Sequence, residues 1–163
     1  MADDSPATPS GPFDLSIELR IEAPRDKVWR CWTEGPLMER WFAPPPWTTP
    51  KADLEARAGG HYFVLMRSPD GVEIENRGVF LDMVPGERLV FTDAYTEARN
   101  WTPSADPFLT AIVTFADAGH GATLFRLWVR HWTREARDTH IDMGFKATWT
   151  AAVKQLEAVA RTL

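Results

Sequence analysis

The chain has 163 residues, 44% of them hydrophobic and 25% charged, with 23 acidic against 18 basic residues and a formal net charge of −5. That is enough apolar material for one domain with one sizeable core. The acidic balance argues against a nucleic-acid or anionic-membrane partner, either of which needs a basic surface.

Residues 1–13, "MADDSPATPSGPF", are acidic and rich in proline and small side chains. Without an apolar stretch they are not a signal peptide and read as a disordered tail. No apolar run approaches the ~20 residues of a membrane span, so a cytoplasmic protein is expected, with one domain over 14–163. In "LSIELRIEA", Leu15, Ile17, Leu19 and Ile21 alternate with polar residues, which predicts a half-buried strand. "APRDKVWRCWTE" follows, with Pro24 where a first helical turn tolerates it and Val28, Trp29 and Trp32 at helical spacing. Cys31 lies among them and, as the single cysteine, permits no internal disulfide. It reads as a small buried hydrophobe rather than a nucleophile. Gly35-Pro36 breaks the helix, and "PLMERWF" starts a second short one.

"WFAPPPWTTP", residues 41–50, is then unusual. Proline excludes a helix interior or a central strand, so a loop or sheet edge is expected, yet it carries three bulky aromatics. From Lys51 to His131 the turn signals Gly59-Gly60, "SPDG", "VPGE" and "DAGHG" separate segments rich in β-branched and aromatic residues. They predict an antiparallel meander. Leu109, Ala111, Val113 and Phe115 share one face, as do Phe125, Leu127, Val129 and His131. Thr96 to Pro107 reads as a long irregular loop holding Trp101. Beyond it, Thr133 is a plausible N-cap for one long helix. Its apolar stripe runs through Ile141, Phe145, Trp149, Val153, Leu156, Val159 and Leu163. A curved sheet with one apolar face needs a cover, and this helix is the element long enough to supply it.

In that order the segments "APRDKVWRCWTEGPLMERWFAPPPWTTP", "NRGVFLDMVPGERLVFTDA", "W-PS-DPFLT--VTF" and "H--MGF---W--AV-QL" resemble the START/polyketide-cyclase (SRPBCC) superfamily. Within it they are similar to the branch named after the activator of heat shock protein 90 ATPase. The resemblance spans about Leu15 to Leu163. It implies an α+β helix-grip fold: a curved antiparallel sheet of about six or seven strands around a long C-terminal helix, with two short helices after the first strand. The branch usually reads W-W-G-P where this chain has Trp41-Phe42-Ala43-Pro44, and often has Gly where Thr148 precedes Trp149. Both changes imply an altered cavity mouth rather than another fold.

The resemblance further implies a pocket for an apolar small molecule between sheet and helix. By position its wall comprises Trp41, Phe42, Tyr62, Val64, Met66, Phe91, Trp101 and Phe108, roofed by Met143, Phe145 and Trp149. The aromatic–proline stretch is expected to be a rigid flap over its open end. Arg77, Asp93, His131 and His140 are candidate polar anchors, the two histidines meeting at the mouth. No histidine spacing matches a metal site, and no phosphate loop or nucleophile elbow stands out. Neither metal, cofactor nor assigned catalytic residue is therefore expected.

Binding of a small hydrophobic ligand, aromatic or polyketide-like, is the leading expectation. A cyclase or aromatase that moves protons with the polar anchors is the second. A co-chaperone of a heat-shock ATPase ranks last, because only the tail precedes the first strand, where eukaryotic activators carry a further domain. A monomer or homodimer is expected.

Overall fold

A computed structural model describes residues 11–163. The tail expected over 1–13 falls largely outside them. Gly11 to Phe13 form a turn, in which the Gly11 N–H reaches Asp14 Oδ2 at 2.6 Å.

Nine strands and four helices follow. β1 (Asp14–Ile21) leads into α1 (Arg25–Thr33) and α2 (Gly35–Met38). Then come β2 (Thr48–Leu54), β3 (His61–Arg67), β4 (Glu73–Val84) and β5 (Arg88–Thr92). A small hairpin, β6 (Tyr95–Glu97) with β7 (Thr102–Pro103), precedes β8 (Thr110–Gly119), β9 (Ala122–Arg130), α3 (Arg134–Asp142) and α4 (Phe145–Ala160). Seven strands form one curled antiparallel sheet in the order β1-β9-β8-β5-β4-β3-β2. α4 packs across its concave face, which makes the fold an α+β helix grip.

The alternation read in the sequence is the alternation that packs. Ile17 and Ile21 on β1 are buried, with Val64, Leu89, Ala111, Val113, Phe115, Phe125, Leu127 and Val129 from the neighbouring strands. Val28, Cys31 and Trp32 of α1 and Ala152, Val153, Leu156 and Val159 of α4 close over them. Fully burying one such large aliphatic or aromatic side chain contributes about 1.5–3 kcal/mol.

Two local devices bend the sheet. β4 bulges between Phe80 and Asp82, leaving Leu81 unpaired and outward. Gly78 lets β4 pass under a side chain of β3: a Cβ there would lie 2.1 Å from the Thr92 carbonyl oxygen and 2.5 Å from the Tyr62 hydroxyl. Only glycine leaves room for both.

Three expectations need correction and one is resolved: Thr48 to Pro50, expected as a loop or a sheet edge, begin the edge strand β2, which pairs only with β3 and shifts register between Thr48 and Lys51. Pro50 is tolerated there because an edge strand has unpaired N–H positions to spare. The loop from Thr96 to Pro107 contains the β6–β7 hairpin. Pro24 lies at the N-cap of α1 rather than in its first turn. Most consequentially, the long last helix is two. Thr133 does cap α3, its Oγ1 accepting from Ala136 N–H at 3.1 Å, but Gly144 takes φ +80° and ends that helix. Its N–H closes on the Ile141 carbonyl at 2.9 Å, the left-handed stop that glycine adopts without strain.

Candidate functional site

The aromatic–proline stretch is built into the grip rather than laid over it. Trp41 is 1% exposed. Its indole N–H donates to the Cys31 carbonyl at 2.8 Å, tying the segment to the end of α1. Ala43 N–H donates to Thr49 Oγ1 at 3.0 Å. Gln155 on α4 reaches across with its amide and donates to the carbonyls of Trp41 and Ala43 at 3.0 and 2.7 Å. Phe42 stays half-buried and meets Trp149 edge-to-face at 5.9 Å.

Beneath this segment lies an apolar cavity of about 20 Å³, little more than one water requires. Trp32, Met38 and Phe42 line it from the helical side. Leu54, Tyr62, Val64, Phe80 and Phe91 line it from four strands of the sheet. Trp32 is the hub. Its ring lies 6.0 Å from Trp149 and nearly parallel to it, 5.0 Å from Trp41, 6.1 Å from Phe91 and 6.0 Å from Phe125. The protein's own aromatics therefore fill most of the space that the fold encloses.

The surface of the cavity is wholly apolar, although two of the residues that line it carry a polar side-chain group. Trp32 is 2% exposed, and its indole N–H has no hydrogen-bond partner. Nearly all buried polar groups are paired. The other is the Tyr62 hydroxyl, whose ionisation is pushed far above the usual range by burial, with the Asp93 charge adding to the effect. A wider depression of about 400 Å³ lies at the other end of α1, lined by Arg25, Asp26 and Asp117. It is open to solvent, and the Arg25–Asp117 ion pair at 3.4 Å sits on it.

The residues expected at the pocket divide into four groups. Phe42, Tyr62, Val64 and Phe91 line the cavity. Trp41 and Trp149 pack against its hub, and Met66 shares the inward face of β3 with Tyr62 and Val64. Phe145 and Phe108 stand apart from it, gathered around the histidines. Trp101 and Met143 are corrections. Trp101 sits in the β6–β7 hairpin, 46% exposed, against Tyr95. Met143 follows α3 and is 64% exposed because the break at Gly144 turns it outward. Sequence reasoning assigned Trp32 to the core and missed it as wall, and it also missed Met38, Leu54 and Phe80. The "W-x-x-x-x-x-x-x-x-W" spacing of Trp32 and Trp41 carries no signal that separates packing from lining.

The polar anchors serve other ends. Arg77 lies on the outer face, paired with Glu75 at 3.0 Å and 4.5 Å above the Phe63 ring. Asp93 accepts from the N–H groups of Phe108 and Leu109 at 2.9 and 3.0 Å, holding the strand entry to β8. Burial raises its carboxyl above the ordinary value, against the lowering effect of those hydrogen bonds. His131 and His140 do meet: His131 Nε2 lies 2.8 Å from His140 Nδ1, and both rings are buried. The other nitrogen of His131 donates to the Phe13 carbonyl at 2.8 Å. Phe108 and Phe145 enclose the pair. Burial, then the neighbouring His131, lowers His140 from 6.5 to about 4. The Cys31 thiol is pushed up to about 11 by burial, which makes it a poor nucleophile.

Comparison with known proteins agrees with this arrangement. A family model described as Activator of Hsp90 ATPase homolog 1-like protein matches residues 22–161. A crystal structure of a protein from Nitrosomonas europaea shares 30% identity over 91% of this chain and 94% of that one, with a TM-score of 0.85. A Rhodobacter sphaeroides protein at 18% identity superposes over 96% of this chain and 97% of its own, TM-score 0.80. An AHSA1-like protein from Aeromonas hydrophila does so at 22% identity over 91% and 92%, TM-score 0.70. The last two likenesses speak to the fold alone. No curated protein gives a match.

Proposed function

The chain belongs to the Activator of Hsp90 ATPase homolog 1-like family, and from that premise we propose that it binds a small hydrophobic molecule between the curled sheet and α4. One observation carries the reading: an apolar cavity walled by aromatics from helices and sheet together, lined in part by Trp32, whose buried indole N–H is left unpaired. A core selected only for stability gains nothing from that orphan donor, which costs about 1–3 kcal/mol. The empty volume admits no ligand of useful size as it stands, so binding displaces side chains. Phe42 and Trp149, both half-buried and packed on each other, are the pair whose movement enlarges the space.

The cyclase reading needs a group that exchanges protons with a bound substrate. Tyr62 is the titratable side chain on the wall, and its environment keeps it protonated. Asp93, His131 and His140 spend their hydrogen bonds on the backbone and on each other. That distribution favours holding a molecule over converting it.

Native mass spectrometry of protein purified from its own host tests the proposal. The expected result is a discrete excess mass released on denaturation. A clean mass, together with unchanged melting and tryptophan emission across a panel of neutral aromatic probes at their solubility limits, would refute it.

A further inference from the structure

We propose that α3 is a self-association surface. It takes the α3 of a second copy of this chain, crossed antiparallel, so that each Arg134 lies against the partner's Asp142.

The two sides of α3 differ. His140 is buried and Ala136 and Arg137 are half-buried, which fixes the inner side. At helical spacing Arg134, Asp138 and Asp142 then form one ridge on the outer side, with Ile141 beside it. All four are exposed. Apolar exposure is concentrated here as well. Trp132, Ile141 and Met143 are three of the seven large apolar side chains left exposed among the described residues, and Trp132 and Met143 bracket the helix at its two ends. Single exposed hydrophobics scattered over a surface are ordinary, whereas a group of them on one short element marks a contact surface.

The charges on the ridge are the wrong way round for a helix on its own. The macrodipole disfavours a cation at the N-terminus and an anion at the C-terminus, yet Arg134 opens α3 and Asp142 closes it. Glu135 shares the first turn but lies round the helix from Arg134. Among the described residues Arg134 and Asp142 take part in no ion pair, while Arg137 and Asp138 between them pair at 2.9 Å. A second α3 removes the conflict. Ridges of spacing four on two helices interdigitate at a crossing of about 50°. Centred on Asp138 and run antiparallel, that crossing sets each Arg134 beside the partner's Asp142 and opposes the two dipoles. Each Asp138 keeps its own Arg137, and Ile141 borders the groove that receives the other ridge. A partner of one charge sign would match only half of the ridge. None of these residues lines the apolar cavity, so the surface is independent of it.

The face of one short helix falls at the low end of interface sizes, so the dimer is expected to be weak, with a dissociation constant of about 0.01–1 mM. Sedimentation velocity of the full chain over a concentration series measures it. Arg134→Glu turns both symmetric pairs from attraction to repulsion and is expected to raise the constant roughly tenfold. Adding Asp142→Arg is expected to restore it to within about threefold. Both changes place charge where the helix dipole favours it, so lost association is not lost folding. In 15N-labelled wild type the Trp132 indole resonance is expected to shift with protein concentration. A chain still monomeric at about 1 mM overturns the proposal. So does a dimer that ignores Arg134→Glu, one that the double change fails to restore, or a Trp132 resonance unmoved by association.

Discussion

The buried histidine pair makes the stability of this protein depend on pH in a calculable way. His131 donates from Nδ1 to the Phe13 carbonyl, so its Nε2 has a lone pair to accept the Nδ1–H of His140. A proton added to His140 places a cation beside the His131 ring, in a setting where burial already penalises charge. In the folded chain His140 titrates at about 4 rather than 6.5, so between those values the unfolded chain binds the extra proton. The folded value of a base is depressed, hence stability is full above pH 6.5 and is lost as pH falls toward 4. Linkage gives a loss of about 2 kcal/mol between pH 7.5 and 5.0, approaching about 3 kcal/mol below pH 4. The assay is urea unfolding at both pH values for wild type and His140→Phe, whose ring suits the surrounding Phe108 and Phe145. Asp93 and the surface carboxylates titrate alike in both proteins and cancel in the difference. Wild type is expected to lose about 2 kcal/mol more than the variant. Parallel losses in the two proteins would refute the assignment.

Two glycines offer further tests. Gly78→Ala drives a methyl against the Thr92 carbonyl and the Tyr62 hydroxyl, at 2.1 and 2.5 Å. The backbone cannot yield cheaply there, so a loss of about 2–3 kcal/mol is expected, read as a melting temperature lower by roughly 5–10 °C. Gly144→Ala meets only Thr148 Oγ1 at 3.4 Å, so its cost comes from the φ of +80°. About 1–2 kcal/mol is expected, and a neutral result in chemical unfolding would show that the helix break does not require glycine.

What could be read from residues alone follows how local the cause is. Alternation along Leu109, Ala111, Val113 and Phe115 is decided within one strand, and the structure places that face on the core. β2 was hidden because Pro50 and Lys51 argue against a strand, and only its place at the sheet edge makes them harmless. The break at Gly144 was hidden because Ile141, Phe145 and Trp149 stay at i, i+4 spacing across it, while a single glycine can be tolerated within a helix. The cavity wall was half legible. Tyr62, Val64 and Phe91 were implied by position through the family resemblance, but Trp32 shares a helical stripe with the core residue Val28. Whether a side chain in such a stripe meets a neighbour or a void depends on the opposite wall, which no local pattern records.

The glycine break also changes what kind of mechanical object α4 is. A helix continuous with α3 would be a beam fixed at both ends. As built, α4 is a 16-residue rod with a joint at Gly144. Its far end is pinned, where Glu157 accepts the Glu22 N–H at 2.8 Å and Lys27 holds the Leu163 carbonyl at 2.5 Å. Such a rod is expected to yield first in its N-terminal half, which carries Trp149. Gln155, nearer the pinned end, holds the carbonyls of Trp41 and Ala43, so the segment bearing Phe42 travels with it. Hinge and wall are thus one part, and amide exchange faster over residues 145–150 than over 155–160 would be its signature.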